Sequence, residues 1–182
     1  MELNMKLRVD WARALTWSFL LLTAASGVNF VLGARTYFMF YSALDEVQFT
    51  ITAASFQQGS SNSSSILIQI IGENPVDYSG LKVTLVAAST YFASSNATLF
   101  ENAPLYGSGE IDLTLPPHGE ISWSLTIQVS DRDTSPLLEF YKAHNSNVTA
   151  VVSLTVEMST FLDKVVGIPT QLPPVQQNIT LT

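Results

Sequence analysis

Two hydrophobic patterns divide this chain. Residues Ala14 to Ala34 read ALTWSFLLLTAASGVNFVLGA and carry no charge. A run of roughly 20 such residues spans a bilayer core of about 30 Å as a helix. From Glu46 onward the period becomes two. Val47, Phe49 and Ile51 alternate with Gln48, Thr50 and Thr52, as a half-buried strand requires. The polar stretch Gln57 to Ser65 breaks the alternation as a loop, and Ile66, Ile68 and Ile70 begin a second strand. Glu73-Asn74-Pro75 and Asp77-Tyr78-Ser79-Gly80 carry turn chemistry, because Pro sets φ and Gly permits positive φ.

Leu81, Val83, Leu85 and Ala87 predict one face of a third strand. Ile111, Leu113 and Leu115 predict another, stopped by Pro116-Pro117-His118-Gly119. Ile121, Trp123, Leu125, Ile127 and Val129 give the cleanest alternation, with Ser122, Ser124, Thr126 and Gln128 facing the other way. Val148 to Val156 predict a late strand and Phe161 to Val166 a further short one. Between them, Ser135-Pro136 reads as an N-cap followed by Pro at the first helical position. Leu137, Leu138 and Tyr141 then form the apolar stripe of a short helix ending near His144. Pro169 to Pro174 leads into Asn178 to Thr182, a candidate terminal strand. Many short strands with Gly/Pro turns and one helix predict an all-β antiparallel sandwich.

The organisation that follows is a 1–13 cytoplasmic N-terminus, a 14–34 transmembrane helix, a 35–45 linker, a 46–168 β-sandwich and a 169–182 Pro-rich tail. Lys6, Arg8 and Arg13 precede the apolar segment, whereas Arg35, Asp45 and Glu46 follow it. The positive-inside rule therefore puts the N-terminus in the cytoplasm and the sandwich outside the cell. Trp11, Trp17, Tyr37, Phe38 and Tyr41 are candidates for the interfacial aromatic belts. Three fates fit the segment. It is a retained anchor, or a signal peptide cut near Ala24-Ala25-Ser26, or a prepilin-type signal cut at Arg13-Ala14-Leu15-Thr16. The retained anchor fits its length and flanking aromatics.

Charge narrows the partners. The 182 residues carry a formal net charge of -7. Beyond Thr36 the basic residues are Lys82, Arg132, Lys142 and Lys164 alone, against many carboxylates. An acidic domain repels phosphate backbones, so nucleic acid is excluded as a partner. The sparse charge and the Ser/Thr-rich surface suit an acidic exterior, where fewer ion pairs are lost on protonation. The absence of cysteine excludes disulfides, zinc–thiolate sites, iron–sulfur clusters and thiol catalysis. Together with four N-x-[ST] sequons, at Asn62, Asn96, Asn147 and Asn178, it fits an archaeal surface glycoprotein. Asn62 and Asn96 lie in polar loops, where a bulky sugar is accommodated best.

At this point the order of features resembles a known family. Ile68-Gln69-Ile70-Ile71-Gly72-Glu73-Asn74-Pro75, then Gly80-Leu81-Lys82-Val83, then Tyr91, is similar to the core of the group 2 late-embryogenesis-abundant domains, the water-stress and hypersensitive-response family. Gly109 to Val129 looks like that family's next hairpin, and the helix and strand from Pro136 to Glu157 fall where its members place theirs. The resemblance covers roughly residues 46–168. It implies a seven-stranded sandwich of the fibronectin type III-like kind with one helix, and a non-enzymatic role, in some members water-stress protection. The Ser-rich loop around Asn62 and the extra length from Ser94 to Pro104 depart from the pattern.

Residue chemistry points the same way. His118 and His144 are the two histidines, too few beside their nearby carboxylates for a metal site of three or four ligands. They read as a turn residue and a helix-terminus residue. Asp131 and Asp133 lack the glycine and the later Glu of a calcium loop and read as helix-capping groups. No G-x-S-x-G or Gly-rich phosphate loop occurs, so no cofactor and no enzyme activity are expected. Trp123 reads as core. Tyr91, Phe92, Phe100 and Tyr106 sit near loops, and Phe100 and Tyr106 are the candidate partner contacts.

The leading expectation is a single-pass surface protein whose sandwich serves structure or interaction, as an accessory subunit of a membrane or envelope assembly. One alternative is a filament subunit, pilin-like or donating the tail Gln177 to Thr182 to a neighbour's sheet. The other is a stand-alone stress-protective module.

Overall fold

In a computed structural model of the chain, the described residues are 11–58, 64–95, 97–144, 147–159 and 169–182. They form two compact units, one ending at Met39 and the other running from Phe40 to Thr182.

Helix α1, Trp11–Glu46, is 36 residues long, about 54 Å at 1.5 Å per residue. It is long and apolar enough to cross a membrane. Within the first unit Trp11, Leu15, Trp17, Phe19, Leu22, Phe30 and Phe38 all stand exposed. Thr16, Thr23 and Thr36 donate their hydroxyls to the carbonyls of Ala12, Phe19 and Leu32 at 2.9–3.0 Å. A hydroxyl satisfied on its own helix needs no water and suits an apolar solvent. Residues 35–45, expected as a linker, are helical instead. No Gly or Pro interrupts them, and Phe40, Ala43 and Leu44 make an i, i+3, i+4 stripe buried in the core of the second unit. Tertiary burial of that stripe extends the helix.

The second unit is mostly β, in two antiparallel sheets. Its strands are β1 Gln48–Gln58, β2 Ser64–Asn74, β3 Lys82–Ser94, β4 Ala97–Leu99, β5 Leu105–Thr114, β6 Gly119–Val129, β7 Thr149–Ser159, β8 Thr170–Gln171 and β9 Val175–Thr180. One sheet has the order β1-β2-β6. In the other, β4 and β5 follow one another along one side of β3, and β8 and β9 along the far side of β7. That sheet is therefore four strands wide. Phe49, Ile51, Ile66, Ile68 and Ile70 of the first sheet share one core with Val83, Val86, Phe92, Val152 and Leu154 of the second. The helices make the chain more than an all-β protein.

Two bulges change which residues face that core. In β3 the register shifts between Val83 and Leu85 against both neighbours. An extra residue reverses the alternation, so Val86, Ala88, Thr90 and Phe92 point inward and Leu85 does not. The expected face Leu81-Val83-Leu85-Ala87 therefore holds only to Val83. In β1 the shift between Ile51 and Ala53 does the same, turning Ala54 inward.

Helix α2, Asp131–Ala143, begins earlier than the Ser135-Pro136 signal suggested. Its N-cap is Ser130. The Ser130 hydroxyl donates to Asp133 Oδ2 at 2.7 Å and accepts from the Asp133 N–H at 3.3 Å. This is a side-chain N-cap whose hydroxyl is held by the Asp133 carboxylate. The cap, with Asp131 in the first turn favouring the dipole, outweighs the weaker Ser-Pro start, and Pro136 lies inside the helix. The expected short strand Phe161 to Val166 lies outside the described residues.

The chain after residue 169 joins its own sheet. β9 pairs with β7 from Thr149↔Thr180 to Leu154↔Val175. Leu181 is buried, and the chain there crosses to the other sheet through a parallel bridge to Ala54.

Candidate functional site

The β1 edge borders a cleft. Tyr41, Leu44 and Asp45 from the end of α1, Val47 to Thr50 of β1, and Thr170 to Pro173 with Val175 enclose a cleft of about 590 Å3. It exists because the edges of the two sheets meet along only part of their length. At one end the gap is closed: the Phe56 N–H donates to the Thr182 carbonyl at 2.9 Å, and the Thr182 N–H donates to the Ala54 carbonyl at 3.1 Å. Next along β1, the Ile51 N–H donates to Gln177 Oε1 at 2.5 Å. Beyond that point the edges part, since Pro173 and Pro174 carry no N–H and separate β8 from β9. The floor is apolar, made of Leu44, Val47, Phe49, Leu172 and Val175, with Asp45 as the charged group on the wall.

Two other hollows hold further polar groups. His118 shares one, of about 430 Å3, with Glu73, Asn74, Pro75 and Glu120. The turn residue His118 has a φ of 48°, and its Nδ1–H donates to the Pro75 carbonyl at 2.8 Å. That bond and the His118 N–H to Val76 carbonyl bond clip the β5–β6 turn to the loop after β2. Glu73 reaches this hollow through its pairing with Glu120 across β2 and β6, a juxtaposition without a sequence signal. The second hollow lies at the β3 bulge, with Leu85, Glu110, Asp112 and Glu157; Asp112 also meets Lys82 at 2.7 Å. Among the described residues no group of three or more His, Asp and Glu is arranged to hold a metal ion.

Asn74 knits the His118 region together. It is fully buried. Its Nδ2 donates to the Tyr78 and Pro116 carbonyls at 2.8 and 3.1 Å, and its Oδ1 accepts from the Val76 N–H at 3.3 Å. The Asn-Pro pair quoted for the family resemblance is thus a structural staple. Burial raises the pKa of the neighbouring Tyr78 phenol above its ordinary value, because the phenolate would lose hydration.

The other expected site residues scatter. Asn62 and Asn96 lie outside the described residues. Asn147 is exposed after the α2 exit, and Asn178 is exposed on edge strand β9 with Thr180 on the same face. Phe92 is core, not surface. Phe100 is half-buried, edge-on to Phe92 with ring centroids 6.3 Å apart. Tyr106 is 64% exposed. His144 caps α2, its Nδ1–H donating to the Phe140 carbonyl at 2.8 Å. Trp123 is partly buried and packs edge-on to Phe49 against the core.

No protein-family model matches the sequence, and no curated protein matches it. Several solved structures are similar to this chain, three of them as follows. A protein from Archaeoglobus fulgidus is 8% identical with a TM-score of 0.46, over 72% of this chain and 90% of that one. The candidate ApaA protein of Bordetella pertussis is 9% identical with a TM-score of 0.40, over 74% and 93%. A candidate late-embryogenesis-abundant protein is 16% identical with a TM-score of 0.38, over 88% and 87%.

Proposed function

We propose that this chain is a membrane-anchored, non-enzymatic module whose sandwich serves structure or protein interaction outside the cell, as an accessory subunit of a membrane or envelope assembly. One observation carries this reading. The apolar side chains of α1 from Trp11 to Phe38 stand exposed, ahead of a β unit with a complete core of its own. So much apolar surface is costly in water and suits a bilayer. The charge asymmetry around Ala14 to Ala34 supports an external sandwich.

The sandwich is of the group 2 late-embryogenesis kind, with a fibronectin type III-like arrangement. Supporting this are sheets four and three strands wide and a single helix between β6 and β7. Donation of the tail to a neighbour's sheet is the less favoured alternative, since β9 lies in its own sheet.

The test is alkaline extraction and protease protection of the full chain in native membranes, with identification of its N-terminal residue. Resistance to extraction, with the sandwich cut only from outside and Met1 retained, supports the anchor. A product beginning at Ala14 or Leu15 replaces it with the filament reading. Release by alkali removes both.

A further inference from the structure

The geometry points to the β1 edge at Phe49, between the Ala43 bond to the Val47 N–H and the Gln177 bond to the Ile51 N–H, as the place where an extended segment of a partner protein adds as a strand. The partner segment is apolar at alternate positions and basic at one end. This rests on the reading of the sandwich as an interaction module and names the surface that does the work.

The backbone supplies the argument. Along a strand, successive residues aim their N–H and C=O groups to opposite sides. The Ile51 N–H points to the outer edge, since it meets Gln177 there. Phe49, two residues earlier, aims the same way, and so does the Val47 carbonyl. The Val47 N–H is taken by the Ala43 carbonyl at 3.0 Å. After the bulge the parity reverses, so Ala54 and Phe56 face the same edge, and those two are filled by Thr182. Residues 181–182 therefore already act as an added parallel strand along one end of β1. The same edge continues past Ile51 with Phe49 facing the cleft instead of a strand. An exposed edge with a free register is a template for strand addition.

The cleft walls define what fits. An added strand would present alternate side chains inward to Leu44, Val47, Leu172 and Val175, which asks for apolar residues at every second position. Asp45 lines the cleft, and no Lys or Arg is among its described lining residues. The nearest complement is a basic residue at the end of the segment that passes Asp45, and it disfavours an acidic one.

The test uses the full chain in lipid nanodiscs. The protein has no cysteine, so Gln48→Cys gives a unique position on the cleft wall for an environment-sensitive dye. The probe is a capped six-residue peptide alternating valine and threonine, with lysine at one end. Expected are saturable binding, at least about tenfold weakening with Asp45→Lys or with glutamate replacing the lysine, and loss of binding when alternate peptide amides are N-methylated. In the unlabelled wild-type chain the same peptide slows amide exchange at Phe49 and leaves Phe56 unchanged, a readout that stands even if Asp45→Lys folds poorly. Equal binding of the N-methylated peptide, or unchanged exchange at Phe49, overturns the proposal. So does a dye response that a single-chain detergent reproduces and the peptide does not. Membrane extraction reports on the anchor separately, so failure here leaves that reading standing.

Discussion

Asn74→Asp changes one buried atom from donor to acceptor at a place where three segments meet. In the native protein Nδ2 feeds two carbonyls, Tyr78 and Pro116, and Oδ1 takes one N–H, from Val76. A carboxylate keeps the acceptor role and loses both donor roles. The Pro116 carbonyl keeps the Gly119 N–H at 3.2 Å, but the Tyr78 carbonyl loses its partner, which costs about 1–3 kcal/mol at neutral pH. The carboxylate also faces two carbonyl oxygens in a site closed to solvent, which raises its folded pKa above the unfolded value of about 3.9. Below that unfolded value the acid is protonated in both states and can return one donor bond, so the loss is smallest there. As pH rises, the unfolded state releases its proton first, and stability falls until the folded pKa is passed. Urea unfolding of the full chain in mild detergent, followed by near-ultraviolet circular dichroism from pH 3 upward, reads this directly. The wild type lacks this carboxyl, so the difference between the curves isolates it. A deficit that is constant with pH, or one below about 1 kcal/mol at neutral pH, refutes the staple.

Other outcomes follow from the same coordinates. Gly72→Ala places a Cβ 2.8 Å from Phe49 Cε1 and 3.1 Å from the Trp123 ring; overpacking of this kind costs about 1–3 kcal/mol, seen as a lower urea midpoint. Leu181→Ala empties a buried site beside the Ala54 bridge and costs about 2–5 kcal/mol, with faster amide exchange at Phe56. Phe100→Ser destabilises through its lost contact with Phe92, whereas Tyr106→Ser, at an exposed ring, stays within about 0.5 kcal/mol; equal effects would remove the distinction between the half-buried and the exposed ring. Because the Tyr78 phenol is raised, stability is full below the ordinary phenol range and falls as pH climbs through about 10 and beyond; Tyr78→Phe removes that slope from urea midpoints measured between about pH 9 and 11. If the sandwich is exported in a host that glycosylates, mass spectrometry finds sugar at the exposed Asn178, and Asn178→Gln removes it.

Local pattern alone determined much of this molecule. An uncharged run from Ala14 to Ala34 dictates a helix with exposed apolar faces, because only a helix satisfies that backbone internally. Period-two alternation marks β1, β2, β6 and β7, because side-chain direction in a strand depends on nothing beyond parity. Other features rest on contacts between residues far apart in sequence. The α1 extension through residues 35–45 depends on the core that receives Phe40 and Leu44. The bulges in β1 and β3 reverse parity where one extra residue enters the pairing with a neighbouring strand, which neither strand reveals alone. Asn74 reads as a turn residue until Pro116, 42 positions away, supplies the carbonyl that makes it a staple. The cleft is decided last. It lies where Gln177 and Thr182 stop filling the β1 edge and two prolines hold the facing edge apart, a geometry that exists only once both sheets have closed on one core.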